Sequence, residues 1–235
     1  MAAILALEAS SSACSVALAT DDGVRAAHRI APREHNRLLL PTVDALLAAA
    51  GLGPDAVTGV LYGRGPGSFT GLRMAVAAAQ AVAWANDAPV LGVSTLEVLA
   101  ATALAEAGAD GPRHVLAVCD ARMGEVYANL FVLEGEVLQA VHEDAVRAPE
   151  AVPALAAGCA SVLLAGDGVP LVEAGPWPLA VRRVSRPDVL PHARRLLALG
   201  APRLRAGEGG PAATAAPVYL RDERRRRRLG EPTAR

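Results

Sequence analysis

The sequence contains no lysine, because all 23 of its basic residues are arginine. A P-loop needs a lysine to hold nucleotide phosphates, and a Schiff base to a carbonyl substrate forms on a lysine amine. Both kinds of lysine-dependent active site are therefore excluded for this chain.

Long apolar runs and paired cysteines are also lacking. No stretch reaches the roughly 18 consecutive apolar residues of a membrane-spanning helix, so we expect a soluble protein without membrane contact. Cys14, Cys119 and Cys159 lie far apart in apolar segments and form no CxxC pair. Such cysteines are typical of reduced, buried thiols, and we expect a cytoplasmic location.

The chain also lacks a strong charge of either sign. Its net charge is −1, so no global positive field would hold it on nucleic acid. Hydrophobic residues make up 52% of the sequence, which is enough apolar material for one large domain or two small lobes with separate cores.

Apolar alternation and turn residues divide the first half of the chain into strands and helices. Three short apolar segments at the start, separated by Ser10–Ser12 and Asp21–Gly23, predict a strand meander. The elements predicted after the meander are a helix at 34–50, a strand at 57–62, a helix at 68–86, a strand at 89–93 and a helix at 94–107.

The second half repeats this order. Its predicted elements are strands at 113–119, 125–133 and 137–146, a short helix at 149–157, a strand at 162–165, a helix at 186–199 and an irregular crossing at 201–217. The repeat predicts an α/β protein with two lobes, residues 1–108 and 109–221, the last residues of the second packing back on the first. We expect residues 222–235 to form an Arg-rich, disordered tail.

A glycine-rich turn, Gly63-Arg64-Gly65-Pro66-Gly67-Ser68, separates a predicted strand from a predicted helix. Backbone at glycine can approach a ligand closely, and N–H groups at a helix start can hold a phosphate. Gly65, Gly67 and Ser68 are therefore candidate contacts to a nucleotide phosphate. The spacing matches neither a Walker motif nor a dinucleotide fingerprint, and the alternative is that the glycines only permit tight packing.

Within GRGPGSFTGLR, this turn resembles the signature of the TsaB family. Further segments similar to that family follow the same order along the chain: LALEASSSACSVAL, HNRLLLP, PVLGVSTLEVLA, DARMGEVYANLF and PVYLRDE. The resemblance implies the two-lobed actin-like ATPase (ribonuclease H-like) fold, with duplicated mixed sheets covered by helices. It also implies kinship with TsaD, the catalytic subunit that transfers threonylcarbamoyl to the adenosine 3′ of the anticodon in tRNA.

Two positions argue against catalysis by this chain itself. In TsaD-like proteins, the segment that corresponds to Gly92–Leu99 carries two histidines four residues apart, so that both can bind one metal ion. Here these positions are Thr95 and Leu99, and no two histidines of the sequence have metal-binding spacing. We therefore expect neither a metal site nor a catalytic residue.

The acid at the end of the first strand also departs from the pattern of kinases with this fold. Such kinases usually carry aspartate there, whereas this chain has Glu8. The extra methylene moves the carboxylate by about 1.5 Å, a displacement that matters for catalysis, and we expect intrinsic ATPase activity to be weak at most. In the second half, Asp120 and Glu125 lie on either side of Arg122, which predicts a strand-end ion pair.

The helix after the glycine turn, TGLRMAVAAAQAVAWAN, is apolar on almost every face. Such a helix must be covered on nearly all sides, either within its own lobe or by another chain. The resemblance implies that this helix and the preceding one pair with TsaD. The candidate contact residues are Leu39, Val43, Leu46, Met74, Ala78 and Val82. The same surface could support a homodimer when TsaD is absent.

The run Arg224 to Arg228 has two interpretations. It could contact tRNA phosphates within an assembled complex, where each neutralised phosphate adds salt-sensitive affinity. It could also be a solvated tail, which is the more common role of such a run.

Three functions compete. The resemblance favours a non-catalytic accessory subunit, a pseudoenzyme that binds and activates TsaD as a heterodimer, joins a larger complex with the ATPase TsaE, and meets tRNA only through that complex. Such a subunit would have no cofactor of its own, although ATP or ADP could bind at the interface with TsaD. A stand-alone small-molecule kinase also fits the fold and the glycine turn. A metallopeptidase fits least, because the sequence has no HExxH cluster.

Overall fold

The computed structural model describes residues 3–221, which form two compact units. The first unit comprises residues 3–98 and 190–217, and the second comprises residues 99–189 and 218–221. The strands are β1 Ala3–Glu8, β2 Ala13–Thr20, β3 Gly23–Ile30, β4 Val57–Gly65, β5 Val90–Ser94, β6 His114–Arg122, β7 Glu125–Glu134, β8 Val137–Ala140, β9 Ala145–Arg147, β10 Ser161–Ala165 and β11 Arg182–Arg186. The α-helices are α1 His35–Ala49, α2 Phe69–Ala85, α3 Thr95–Ala107, α4 Val169–Val172 and α5 Ala193–Arg205.

The first unit is built on a five-stranded mixed sheet in the order β3-β2-β1-β4-β5. Strands β1, β2 and β3 form the predicted antiparallel meander, whereas β1, β4 and β5 are parallel. Side chains of a strand point alternately to the two faces of its sheet. Leu5 and Leu7 accordingly pack in the cluster with residues of α1 and α2, and Ala6 packs on the opposite face with residues of α5.

Helix α5 covers the second face of this sheet, although it follows the whole second unit in the chain. Leu196, Leu197 and Leu204 are buried in one cluster with Ala6 and Leu61. Central parallel strands are usually covered by helices on both faces of the sheet. Helices α1 and α2 cover one face, and α5 covers the other. The predicted lobes 1–108 and 109–221 therefore differ from the two units, since 190–217 belongs to the first unit and the first break falls within α3.

The second unit contains a sheet in the order β11-β10-β6-β7-β8, with β9 paired to β7. Strands β6 and β7 form an antiparallel hairpin, and β10 is parallel to both β6 and β11. One cluster of buried residues fills one face of this sheet. The strands contribute to it the apolar residues Leu116, Val118, Val126, Ala128, Leu130, Val162 and Leu164.

Three elements differ from the sequence-based expectation. The strand expected at 137–146 is interrupted and forms β8 and β9, and the helix expected at 149–157 is replaced by two 3₁₀ turns that begin at Pro149 and Pro153. Proline lacks the N–H that a continuous helix would use, which explains this interruption. The helix expected at 186–199 starts later, at Ala193, and continues through Pro202 to Arg205, while Arg186 is the last residue of β11.

The predicted fold class is confirmed, because the two mixed sheets carry helices and match the two-lobed α/β architecture. The prediction of a disordered tail at 222–235 concerns residues outside the described part of the chain. Within residues 3–221, no helix is long and apolar enough to cross a membrane.

Candidate functional site

The candidate site of the first unit lies at the edge of the sheet where β1, β4 and β5 end. Because these strands are parallel, their carboxyl ends meet at one edge, which is where open α/β sheets usually bind ligands. Glu8 ends β1, Gly65 ends β4 and Ser94 ends β5. The glycine-rich turn follows β4 and leads directly into α2.

Glu8 is fully buried at this edge. Its Oε1 accepts a hydrogen bond of 2.7 Å from the backbone N–H of Ser10, whereas Oε2 has no hydrogen-bond partner among residues 3–221. Burial raises the pKa of Glu8 to about 7, and hydrogen bonds from Ser10 and Ala9 offset that increase only in part. A Cβ on Gly63 would overlap Glu8 Oε2, so the missing side chain at Gly63 leaves room for the longer acid.

The glycine-rich turn packs directly on the turn that follows β1. The backbone N–H of Ser68 donates to Ser10 O at 2.7 Å. A Cβ on Gly67 would lie 2.6 Å from Ser10 O, and a Cβ on Gly71 would overlap Ala9 O. These glycines therefore permit the start of α2 to approach the backbone of residues 9 and 10, which is the packing role that the sequence left open.

The three candidate phosphate contacts, Gly65, Gly67 and Ser68, are engaged in the chain's own structure. Gly65 is buried with φ of 108°, a conformation that favours glycine. The Ser68 Oγ caps α2 by accepting from the N–H of Gly71 at 3.4 Å. The N–H groups of Ser68 and Gly71 are thus already bonded within the chain, and nucleotide binding here stays a prediction.

The two positions that correspond to histidines in TsaD-like proteins are buried in α3. Thr95 is 1% exposed, its Oγ1 has no hydrogen-bond partner in the described part of the chain, and Leu99 is fully buried. A buried threonine and leucine one helical turn apart offer no pair of metal-binding nitrogens. Among the described residues, no group of three or more His, Cys, Asp or Glu side chains could hold a metal ion.

The six predicted partner contacts do not form one exposed surface. Leu39, Val43 and Ala78 are buried in the core cluster of the first unit, and Leu46, Met74 and Val82 are half-buried against it. The periodicity of the sequence identified the apolar stripe of each helix but left open which face points outward, and in the structure these six residues lie on the inward face. The first three residues cannot contact another chain unless this core repacks.

The exposed side of α2 carries a different set of residues, which we call the α2 outer face. Phe69, Arg73, Ala77, Ala81 and Ala85 form a ridge at four-residue spacing, and Trp84 lies beside its end. Phe69 is 53% exposed and Trp84 is 75% exposed. Arg73 is the only charged residue of this face, and its guanidinium covers the Phe69 ring at 3.7 Å. The exposed ridge is therefore apolar, with small residues between two aromatic ends.

The strand ends of the second unit hold a set of ion pairs. Asp120 accepts from the guanidinium of Arg122 at 2.9 Å, as the sequence predicted. Glu125 instead pairs with Arg221, at 3.0 Å. Sequence reasoning missed this second pair because nearly a hundred residues separate its members, and the only signal was the PVYLRDE segment that contains Arg221.

The fold defines an α/β protein of the two-lobed, actin-like class, with a candidate site at the carboxyl ends of the parallel strands of its first sheet. The model of the family described as TsaD, tRNA N6-adenosine threonylcarbamoyltransferase, matches residues 23–169, which is more than half of the chain. The solved structure of YeaZ from Pseudomonas aeruginosa superposes with a TM-score of 0.84 and 39% identity, over 94% of this chain and 100% of that chain. The chain therefore belongs to the TsaB/YeaZ family, within the wider group that the TsaD model describes.

Curated relatives carry the name tRNA threonylcarbamoyladenosine biosynthesis protein TsaB. The Escherichia coli (strain K12) protein is 45% identical over 124 residues, which are 53% of this chain and 52% of that protein. The Bacillus subtilis (strain 168) protein is 33% identical over 142 residues, which are 60% of each. The matched region thus spans little more than half the length of these relatives.

Proposed function

We propose that this chain is a non-catalytic accessory subunit that binds and activates a TsaD protein for threonylcarbamoyl transfer to tRNA. The observation that carries the proposal is the α2 outer face. A solvent-facing ridge of alanines between Phe69 and Trp84 is costly to leave in water and typical of a surface that another chain covers. The names of the curated relatives support the place of this function in tRNA threonylcarbamoyladenosine synthesis.

The chemistry of the strand-end site supports an accessory role. A metal-dependent transferase with the paired histidines of TsaD-like proteins would hold its metal near the start of α3, where this chain has Thr95 and Leu99 and therefore no pair of ligand nitrogens. Glu8 is buried with a pKa near 7, so about half of the molecules would carry a neutral acid there at neutral pH. Neither feature suits the binding of a metal-bound phosphate.

The proposed partner is the TsaD protein of the same organism, which joins as a heterodimer and brings TsaE into a larger complex. Small side chains at Ala77, Ala81 and Ala85 would let a helix of the partner approach α2 closely. A surface cavity of about 700 Å³ borders Trp84 and extends toward Pro211, which gives this end of the ridge a concave edge. In the absence of TsaD, the same ridge would pair with a second copy of this chain.

The proposed subunit has no nucleotide of its own. The N–H groups of Ser68 and Gly71 already bond to Ser10 and Ser68 oxygens, so the start of α2 offers fewer free donors to a phosphate. ATP or ADP would bind only when TsaD completes the site at the interface.

Isothermal titration calorimetry tests both parts of this proposal. Injection of the TsaD protein into this chain should give saturable heat with one TsaD bound per chain, and injection of ATP into the chain alone should give none. ATP injected into the complex should give saturable heat. Saturable ATP binding to the chain alone would favour the stand-alone kinase, and the absence of any heat with TsaD would reject the accessory role.

A further inference from the structure

The cavity of about 700 Å³ at the carboxyl end of α2 lies wholly within the first unit. The end of α2 and the residues after it form one wall, with Trp84 and Asp87, and the segment 209–213 forms another. Among the described residues that line the cavity, Trp84 is the only aromatic residue and Asp87 the only charged one. The cavity therefore combines one aromatic face with one carboxylate.

The wall at 209–213 is held in place by hydrogen bonds of the chain itself. The Val90 N–H donates to Gly210 O at 2.8 Å, and the Gly210 N–H donates to Val90 O at 2.9 Å, which joins this wall to β5. Just beyond the wall, Gln80 of α2 donates through Nε2 to Ala215 O at 2.9 Å. Because the segment is tied to both the sheet and the helix, a ligand would not have to order it on binding.

Two features give the α2 end of the cavity a negative potential. Helix α2 ends at Ala85 with no basic residue in its last turn, so the partial negative charge of its terminal carbonyl groups is not offset there. Asp87 adds a full charge two residues later, and its exposed carboxylate forms no ion pair or hydrogen bond with another of residues 3–221. Both features attract a cation.

Trp84 presents a large aromatic face at the same place. It is 75% exposed, and no guanidinium of residues 3–221 lies over its ring. The chain shows at Trp177 how such a ring is covered: the Arg183 guanidinium lies 5.1 Å from the centre of that ring and donates to Glu173 O, at the carboxyl end of α4, at 3.3 Å. Trp84 likewise lies beside helix-end carbonyl groups, so the described residues supply every part of this arrangement except the arginine.

We propose that the cavity binds the guanidinium group of an arginine side chain, which stacks on Trp84 and pairs with Asp87. A planar guanidinium can stack on an indole ring while its N–H groups bond a carboxylate, whereas a lysine ammonium group lacks the planar face. Trp84 joins the cavity to the α2 outer face, so the arginine comes from the protein that covers that face. Its assignment to TsaD rests on the proposed function, but the preference of the cavity for a guanidinium does not.

A nucleotide fits this cavity less well. Its base could stack on Trp84, since every base has an aromatic face. Its phosphate groups would, however, be repelled by Asp87 and by the carboxyl end of α2. The described lining offers no positive charge to offset this repulsion.

Nuclear magnetic resonance of the chain alone tests the preference for a guanidinium. The probes are N-acetyl-arginine amide and N-acetyl-citrulline amide, which have nearly the same shape but differ in charge, and the chain is kept at a concentration where it is monomeric. The arginine probe should shift the indole N–H resonance of Trp84 saturably and bind at least threefold more tightly than the citrulline probe, by roughly the strength of an exposed cation–π contact. Trp177 is the internal control, because its N–H is bonded to Val172 O at 3.0 Å and Arg183 already lies over its ring.

Replacing Asp87 with asparagine tests the carboxylate without disturbing the backbone. Residue 87 has φ of 49°, a conformation that asparagine also adopts readily. The substitution should weaken binding of the arginine probe about threefold and, in calorimetric titration, binding of the TsaD protein about fivefold. The matched control is Asp22→Asn, an exposed acid in the turn between β2 and β3, which should change both affinities by less than about twofold.

Several results would overturn the proposal. Equal affinities for the two probes, or equal shifts at Trp84 and Trp177, would show that the cavity does not select a guanidinium. A saturable shift of Trp84 caused by AMP, with none caused by the arginine probe, would assign the ring to a nucleobase. If Asp87→Asn weakened the arginine probe but bound TsaD as the control does, the assignment of the arginine to TsaD would be wrong. The probe measurements need no TsaD, so their failure is distinct from a failure of the accessory role.

Discussion

Replacing Ala81 with arginine should weaken binding of the TsaD protein by at least about 100-fold, with no loss of folding. Ala81 lies in the middle of the α2 outer face and is exposed, so a longer side chain fits without disturbing the core of the free chain. In the complex, the added charge would be buried without a partner, which costs about 3 to 5 kcal/mol. Calorimetric titration gives the affinity, and circular dichroism confirms that the variant is folded.

The matched control for this prediction is Ala198→Arg. Ala198 is also an exposed alanine within a helix, but it lies on α5, which covers the opposite face of the first sheet. This substitution should leave the affinity within about twofold, as is usual for exposed positions outside an interface. If both variants bound TsaD as tightly as the original chain, the α2 outer face would not be the docking surface.

Replacing Glu8 with glutamine should raise the free energy of unfolding at pH 8 by about 3 kcal/mol. In the folded chain, burial raises the pKa of Glu8 from 4.5 to about 7. At pH 8 the carboxylate is charged in both states, and its burial without a counter-charge opposes folding by about 1.4 kcal/mol per unit of pKa shift. Glutamine keeps a similar shape and an acceptor for the Ser10 N–H but carries no charge.

The direction of the Glu8 pKa shift determines the pH range over which this group changes the stability of the protein. Because the folded state binds the Glu8 proton more tightly than the unfolded state does, the stability from this group falls as pH rises from about 4.5 to about 7. His192 has the opposite effect on the pH dependence of stability. Burial lowers its pKa to about 4, so below about pH 6.5 the unfolded state binds a proton that the folded state does not, and stability falls as pH decreases. Above about pH 7 the His192 effect is absent, so urea unfolding at about pH 7.5 to 8.5 measures the effect of Glu8 without a contribution from His192.

A control variant separates burial from general charge effects. Glu136 is exposed in the turn between β7 and β8, and Glu136→Gln should change stability by less than about 0.5 kcal/mol at the same pH. An equal gain from both substitutions would mean that Glu8 is not held in a low-dielectric environment.

The sequence predicted the first unit well because local patterns there agree with the tertiary structure. Strands β1 and β2 are short apolar runs bounded by serine and aspartate turns, and α2 begins at the capping residue Ser68. The strand β11 was missed because its sequence, RRVSR, lacks the apolar alternation of a half-buried strand. It lies at the edge of its sheet, where polar residues suffice.

The candidate site was only partly predictable for a physical reason. The glycine spacing indicates that the backbone of residues 63–71 makes a close contact. It does not show whether the contacted group is a ligand or, as in the structure, the backbone oxygens of Ala9 and Ser10. The outward face of α2 was likewise ambiguous, because alanine and valine occur on all sides of the helix. Only the position of the sheet decides that Ala78 faces inward and Ala81 outward.

The most direct test of the accessory role is a reconstituted transfer reaction. Purified tRNA, threonylcarbamoyl-adenylate, TsaE and ATP are combined with this chain alone, with the TsaD protein alone, or with both, and threonylcarbamoyladenosine is quantified by mass spectrometry. The account predicts no product with the chain alone and a rate with both proteins at least about 10-fold above that of TsaD alone. Substantial product formed by this chain in the absence of TsaD would contradict it.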